Sequence, residues 1–151
     1  PLRLVGSEMC IRDSAHTPDA LATALKSLRW HAMGRLVVVF GAGGDRDHSK
    51  RKLMGQVASE FADYTFLTDD NPRNEEPSEI RAMVLAGAPN SIEVADRAEA
   101  ILRAVDFLQA GDTLLIAGKG HESGQIVGSD ILPFDDVEQA SIAVAALEGA
   151  Y

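Results

Sequence analysis

The sequence predicts an α/β fold in three layers, with a mostly parallel sheet and an antiparallel strand near the C-terminus. Leu36–Phe40 and Thr113–Ala117 are almost uninterrupted apolar runs, which is typical of parallel strands that are covered on both faces. Amphipathic segments of helical length alternate with these and other strand candidates along the chain. Such alternation favours a parallel sheet between two layers of helices.

Five segments have helical periodicity, and each has a start signal. Thr17 can act as the N-cap of the first helix, with Pro18 in its first turn. The other start signals are Ser49, Pro77, the pair Asp96 and Glu99, and the pair Asp135 and Glu138. The apolar stripes expected to face the sheet are Leu21, Ala24, Leu25 and Leu28; Leu53, Val57 and Phe61; Ile80, Met83 and Val84; Ile101, Leu102, Val105 and Leu108; and Val137, Ala140, Val144 and Leu147.

Three further segments complete the expected order of elements. Residues 91–94 form a weaker strand candidate, and residues 125–127 and 131–134 flank Gly128-Ser-Asp130, which is typical of a tight hairpin turn. Residues 1–12 show neither strand alternation nor a helical stripe. We therefore expect residues 1–12 to be a frayed or non-native leader and residues 13–151 to be the domain.

Composition excludes several classes of function. The chain has 23 acidic and 14 basic side chains and a formal net charge of −9, which argues against nucleic acid as the main partner. No apolar run is long enough to cross a membrane. The single cysteine cannot form an internal disulfide, and no Cys/His spacing suits a metal. The cytoplasm is therefore the expected compartment.

Three polar loops, each following an apolar strand segment, are the candidate functional site. They are residues 41–47, 69–73 and 118–122. The carboxyl ends of parallel strands meet at one edge of a sheet, where such folds bind ligands. The loops bring together the guanidinium groups of Arg46 and Arg73 and the carboxylates of Asp70 and Glu122. That set suits a small zwitterion with carboxylate and ammonium groups.

The glycines in these loops do not complete a nucleotide-binding motif. In Gly41-x-Gly43 the position of the third glycine is Arg46, and after Gly118-x-Gly120 it is Ser123. The sequence also contains no P-loop motif. A nucleotide-dependent oxidoreductase is therefore disfavoured, and tight turning explains the glycines as well as phosphate binding does. The spacing around Arg73 fits a ligand-binding arginine and a solvated helix-entry arginine equally well.

Four motifs together resemble the C-terminal domain of Mur ligases, and the resemblance is strongest to the Mur ligases that add diaminopimelate. They are Phe40-Gly-Ala-Gly-Gly-Asp-Arg-Asp47, Thr68-Asp-Asp-Asn-Pro-Arg73, Gly118-Lys-Gly-His-Glu122 and Pro133-Phe-Asp-Asp136. The resemblance runs from about Asp13 to the C-terminus. It implies a Rossmann-like domain, the third of three, with the P-loop on an absent central domain. It also implies that this fragment is inactive alone.

The resemblance further implies an activity, its partners and its site residues. The full ligase would use ATP and Mg²⁺ to join meso-diaminopimelate to UDP-MurNAc-L-Ala-D-Glu, with both ATP and the UDP-sugar bound mainly by the absent domains. Asp13 would contact the nucleotide, although Ser14 replaces the usual tyrosine beside it. Arg73 and Asn71 would bind the distal carboxylate of the amino acid, and Glu122 and Asp70 its ammonium group. The implied amino-acid site is Arg46, Asp70, Asn71, Pro72, Arg73, Gly118 and Glu122.

Two alternatives stay open at this point. One is a stand-alone amino-acid-binding module. The other is a domain of a different ATP-dependent ligase, either another Mur enzyme or a folylpolyglutamate synthetase.

Overall fold

A computed structural model describes residues 2–5, 8–13, 16–118, 124–127 and 130–133, with side chains described for residues 16–118. The strands are β1 (Leu2–Val5), β2 (Glu8–Asp13), β3 (Leu36–Phe40), β4 (Tyr64–Leu67), β5 (Ile92–Glu93), β6 (Thr113–Ala117), β7 (Gly124–Val127) and β8 (Asp130–Pro133). The helices of the described part are α1 (Pro18–Arg29), α2 (Ser49–Phe61), α3 (Pro77–Leu85) and α4 (Arg97–Phe107). None of these helices combines the length and the apolar content needed to cross a membrane.

The main sheet has six strands in the order β1-β2-β6-β3-β4-β5. Neighbours from β2 to β5 pair in parallel, whereas β1 pairs with β2 antiparallel at one edge. The predicted α/β class is therefore confirmed. The predicted hairpin is also confirmed, since β7 and β8 pair antiparallel. These two strands form a two-stranded sheet of their own and are not part of the main one.

The expectation that residues 1–12 contain no regular strand was wrong. β2 pairs in parallel with β6, from Met9 beside Thr113 to Asp13 beside Ala117. A strand is held by backbone hydrogen bonds to its neighbours, here β1 and β6, so a segment can join a sheet without strong side-chain alternation. The boundary between a leader and the domain at residue 13 stays a prediction.

The core lies on both faces of the sheet, which explains the continuous apolar runs. Val37 and Val39 in β3 face α4 and pack with Ile101. Val38 and Phe40 face the opposite side, where Leu21, Leu25, Met54, Ala58 and Val84 from α1, α2 and α3 cover them. Strand β3 is therefore buried along its whole length, as predicted.

The predicted helix starts are confirmed in three cases and corrected in one. Pro77 stands in the first turn of α3. Thr17 Oγ1 accepts a hydrogen bond of 3.1 Å from the Ala20 amide, and Asp96 caps α4 through the Glu99 amide. In α2 the cap was assigned to the wrong residue. Asp47 Oδ1 accepts bonds from the amide and the hydroxyl of Ser49, at 3.0 and 2.7 Å. The helix with Asp135 at its predicted start lies outside the described residues.

The predicted apolar stripe was right for α1 and only partly right for α2 and α4. Leu21 and Leu25 of α1 are fully buried. In α2 the expected Leu53 is 48% exposed, and Arg51 and Met54 are buried in its place. In α4 the expected Leu102 is 40% exposed. The error in α2 is a rotation by one residue, which places a charged side chain on the inner face.

Candidate active site

The loops after β3 and β4 form a cleft of about 410 Å³ at the carboxyl edge of the parallel sheet. Four of the predicted binding residues line it: Arg46, Asp70, Asn71 and Arg73. The cleft is also lined by His16 and Thr17, at the start of α1, and by Lys50, Arg51 and Met54, in the first turns of α2. The structure therefore brings the residue 41–47 loop and the residue 69–73 loop together, as the sequence predicts.

The two loops are in direct backbone contact. The Gly44 amide donates a hydrogen bond of 2.6 Å to the Asn71 carbonyl. A Cβ added to Gly44 would collide with the carbonyl of Pro72, and one added to Gly41 would collide with the carbonyl of Thr68. Glycine is therefore required at both positions, because the facing backbone lies where a side chain would start.

Arg73 stands at a sharp turn with its side chain folded onto the neighbouring loop. Its φ of 51° lies in the left-handed region, which costs a non-glycine residue about 1–2 kcal/mol. Its Nη1 donates to the Gly44 carbonyl at 3.0 Å and to the Asn71 carbonyl at 3.4 Å. These bonds direct the guanidinium along the wall of the cleft, and its Nε and Nη2 provide further N–H donors.

The acidic and amide groups beside Arg73 are buried. Asp70 and Asn71 are 4% and 5% exposed, and Pro72 is also buried. Gly118, with a φ of 112°, comes close to Asp70: a Cβ there would lie 3.4 Å from Asp70 Oδ2. The loop after β6 therefore begins next to Asp70. Arg46, by contrast, is exposed at the mouth of the cleft.

Two predicted residues cannot be placed in the cleft by their side chains. Glu122 lies outside the described residues. For Asp13 the structure describes the backbone, which ends β2 beside Ala117 at the same edge of the sheet.

The adjacent aspartates Asp69 and Asp70 have different surroundings. Asp70 lines the cleft, whereas Asp69 forms an ion pair with Arg81 of α3. Arg81 also binds Glu93, with 2.8 Å between Nε and Oε2. Burial raises the pKa of Asp69 above its usual value, against the opposing effect of Arg81. Asp69 therefore ties its loop to α3 and β5, whereas Asp70 is the aspartate of the pair that lines the cleft.

Sequence reasoning missed the buried arginine in the wall of the cleft. Arg51 is 2% exposed and binds both carboxylate oxygens of Glu75, with N–O distances of 3.0 and 2.7 Å. The hydrogen bonds from Arg51 lower the pKa of Glu75 to about 2. The buried positions of α2 are 51, 54, 55 and 58, which have helical spacing, but the charge at position 51 conceals this stripe in the sequence. Three more cleft residues, His16, Thr17 and Lys50, were not predicted as ligands either.

Among the described residues, no three His, Cys, Asp or Glu side chains come together in a way that could hold a metal ion. Besides Arg51, which is bound to Glu75, the cleft offers the guanidinium groups of Arg46 and Arg73 and the buried carboxylate of Asp70, which can bind the carboxylate and ammonium groups of an amino acid.

Comparison with known proteins points to one family. The family model described as Mur ligase, glutamate ligase domain, matches residues 2–120. The UDP-N-acetylmuramoyl-L-alanyl-D-glutamate–2,6-diaminopimelate ligase of Bradyrhizobium diazoefficiens is 60% identical over 134 residues, which are 89% of this chain and 28% of that protein. The ligase of the same name from Agrobacterium fabrum is 55% identical over 138 residues, 91% of this chain and 28% of that protein. The chain thus spans about 28% of the length of these relatives.

Solved structures agree. A structure of UDP-N-acetylmuramoyl-L-alanyl-D-glutamate–2,6-diaminopimelate ligase aligns with 98% of this chain and 31% of its own, with a TM-score of 0.93 and 41% identity. The E. coli FolC structure in complex with ADP aligns with 97% of this chain and 31% of its own, with a TM-score of 0.63 and 19% identity. The second likeness shows the fold alone.

Proposed function

The chain belongs to the Mur ligase, glutamate ligase domain family, and from that premise we propose that it is the amino-acid-binding domain of an ATP-dependent ligase. The ligase would form the amide bond between UDP-MurNAc-L-Ala-D-Glu and meso-diaminopimelate in peptidoglycan synthesis, in the cytoplasm. Support comes from the relatives of that name and from the cleft at the carboxyl edge of the sheet.

The observation that carries the proposal is the grouping of Arg46, Asp70, Asn71 and Arg73 around one cleft. Meso-diaminopimelate has two amino-acid heads, so a carboxylate and an ammonium group remain at one end while the amine at the other end reacts. Arg73 and Asn71 would bind the distal carboxylate, and Asp70 would balance the distal ammonium group. Arg46, at the mouth, would meet another carboxylate.

Selectivity against L-lysine follows from the same geometry. Lysine has a distal amine but no distal carboxylate. The Nε and Nη2 donors of Arg73, which are not used in its bonds to the Gly44 and Asn71 carbonyls, would then face no carboxylate in a partly buried site. An unpaired polar group in such a site costs free energy. We expect the cleft to favour meso-diaminopimelate for this reason.

The chemical step would be shared with other parts of the ligase. Transfer of the γ-phosphoryl group of ATP to the D-glutamyl carboxylate gives an acyl phosphate; the amine then displaces phosphate and loses a proton, leaving amide, ADP and phosphate. The role of this chain would be to orient that amine by holding the far end of the amino acid. We assign no step to Mg²⁺ here, because the family resemblance implies that ATP and Mg²⁺ are bound mainly by the central domain of the full ligase.

A domain exchange tests the proposal. The C-terminal domain of the Bradyrhizobium diazoefficiens ligase would be replaced by this chain, and amide formation measured with meso-diaminopimelate and with L-lysine. The unmodified ligase is the positive control, and the ligase without its C-terminal domain is the negative control. We expect activity with meso-diaminopimelate and a strong preference for it over lysine.

Two results would contradict the proposal. One is a folded chimaera that makes no amide with meso-diaminopimelate. The other is a chimaera that uses lysine as well as meso-diaminopimelate, which would mean that this chain does not select the amino acid.

A further inference from the structure

The cleft walls are joined by an ion pair between a buried arginine and a partly buried glutamate, which the proposed chemistry does not use. The guanidinium of Arg51, in the first turn of α2, binds Glu75 through Nη1 and Nη2. Nη2 also donates to the Gly43 carbonyl at 3.0 Å, and Nη1 lies 3.3 Å from the sulfur of Met83 in α3. The Arg51 side chain, which extends from α2, therefore contacts the 41–47 loop at Gly43, Glu75 just after the 69–73 loop, and α3 at Met83.

Glu75 receives bonds from the opposite loop as well. Its Oε2 accepts a hydrogen bond from the Asp45 amide, and its Oε1 lies 2.9 Å from His48 Nε2. The amide of Glu75 in turn donates to the Pro72 carbonyl at 3.0 Å, which closes the turn that contains Arg73. The carboxylate thus connects the turn at residues 72–75 to the residue 41–47 loop.

The two left-handed non-glycine residues of the described chain lie beside this ion pair. They are Asp45, with a φ of 54°, and Arg73, with a φ of 51°. Asp45 is held by Glu75, and Arg73 is two residues before it. Backbone conformations of this kind persist only where surrounding contacts hold them. The Arg51–Glu75 pair supplies such contacts on both sides of the cleft.

We propose that Arg51 and Glu75 are positioning residues that set the affinity of the cleft for the amino acid by fixing the turns that carry Arg46 and Arg73. This inference rests on the proposed function. Neither residue needs to contact the ligand, because the contacts of their charged groups are with each other and with the loops. A planar bidentate pair is directional, so an amide or an ammonium group in place of either partner would loosen the geometry.

The test uses the chimaeric ligase with Glu75→Gln or Arg51→Lys. Each variant should raise the KM for meso-diaminopimelate about ten- to a hundredfold, the size of effect produced by small displacements of substrate-positioning groups. The KM for ATP and for UDP-MurNAc-L-Ala-D-Glu should change less than about twofold, because ATP and the UDP-sugar are expected on other domains. Unchanged KM for the amino acid in both variants would overturn the inference.

Asp112→Asn provides a matched stability control. Asp112 is buried and, like Glu75, is bound by an arginine, with Arg35 Nη2 at 2.6 Å, but it lies at the opposite, amino edge of the sheet. It should lower the thermal midpoint and leave the KM for meso-diaminopimelate unchanged. An increase in that KM equal to the increase in Glu75→Gln would mean that general destabilisation is the cause, and the positioning role would be refuted.

A second readout separates this inference from the proposed function. Hydrogen–deuterium exchange of peptides covering residues 41–47 and 69–76 should become at least about tenfold faster in Glu75→Gln, with no such change in residues 113–117. If the unmodified chimaera makes no amide, the proposed function fails, and hydrogen–deuterium exchange alone then tests whether the ion pair fixes the loops. Equal exchange rates in the variant and the parent would overturn the positioning role of Arg51 and Glu75. If Glu75→Gln does not fold, the KM for meso-diaminopimelate and the exchange rates are compared between Arg51→Lys and the parent instead.

Discussion

Replacing Arg73 by alanine removes the group that would distinguish diaminopimelate from lysine. Arg73 Nη1 is bonded to the carbonyls of Gly44 and Asn71, so Nε and Nη2 supply the remaining donors for a ligand carboxylate. A hydrogen bond between charged partners contributes roughly 1.5–3 kcal/mol in a partly buried site. The loss should therefore raise the KM for meso-diaminopimelate by about one to two powers of ten.

The assay is amide formation by the chimaeric ligase at varied concentrations of meso-diaminopimelate and of L-lysine. Lysine lacks the distal carboxylate, so its KM should change less than about threefold, and the selectivity ratio should fall by the full effect on diaminopimelate. Arg73→Lys keeps the charge but loses the planar pair of donors, and it should give an intermediate ratio.

The control is Arg103→Ala, which removes an exposed arginine paired with Glu99 on α4. It should leave both KM values unchanged. An Arg73→Ala enzyme with the parent's preference for diaminopimelate would refute the reasoning, because the selectivity would then depend on some other group.

Three further predictions concern the domain itself and need thermal or urea unfolding curves. Gly44→Ala should lower the thermal midpoint and weaken binding of the amino acid, because the new Cβ would collide with the facing loop; an unchanged midpoint would contradict this. Burial opposes ionisation of Asp112, but hydrogen bonds from Arg35 and the backbone outweigh burial and lower the pKa of Asp112. The ionised carboxylate therefore stabilises the fold at neutral pH, and this stabilisation is lost as the pH falls through the pKa of Asp112 in the folded state. Asp112→Asn should therefore reduce the loss of stability below about pH 4, and equal acid profiles would argue against the pair. Leu25→Ala should lower the free energy of unfolding by about 2–5 kcal/mol, because Leu25 is fully buried. Leu53→Ala should lower it much less, because Leu53 is 48% exposed, and similar losses in the two variants would contradict the assigned face of α2.

The sequence was most informative where the side chains themselves fix the structure. The apolar run Leu36–Phe40 predicted a strand covered on both faces, and that is how β3 packs. Strand β2 was not predicted, because its place in the sheet depends on backbone pairing with β6 about a hundred residues later in the chain. A contact of that kind leaves little trace in the local pattern.

The candidate site could be predicted to the level of the loops but not of each side chain. Arg46, Asp70 and Arg73 follow strands that end at one edge, so their meeting in a cleft could be expected. The burial of Arg51 could not, because it depends on Glu75, 24 positions away in the chain. Nor could sequence alone show that Asp69 is bound by Arg81 while Asp70 faces the cleft.

A crystal structure of the chimaeric ligase with meso-diaminopimelate tests the central claim most directly. We expect a carboxylate of the amino acid within hydrogen-bonding distance of the Arg73 guanidinium, with the ammonium group of the same head close to Asp70. Density for the amino acid outside the cleft between the 41–47 and 69–73 loops, with no ligand carboxylate near the Arg73 guanidinium, would contradict the account.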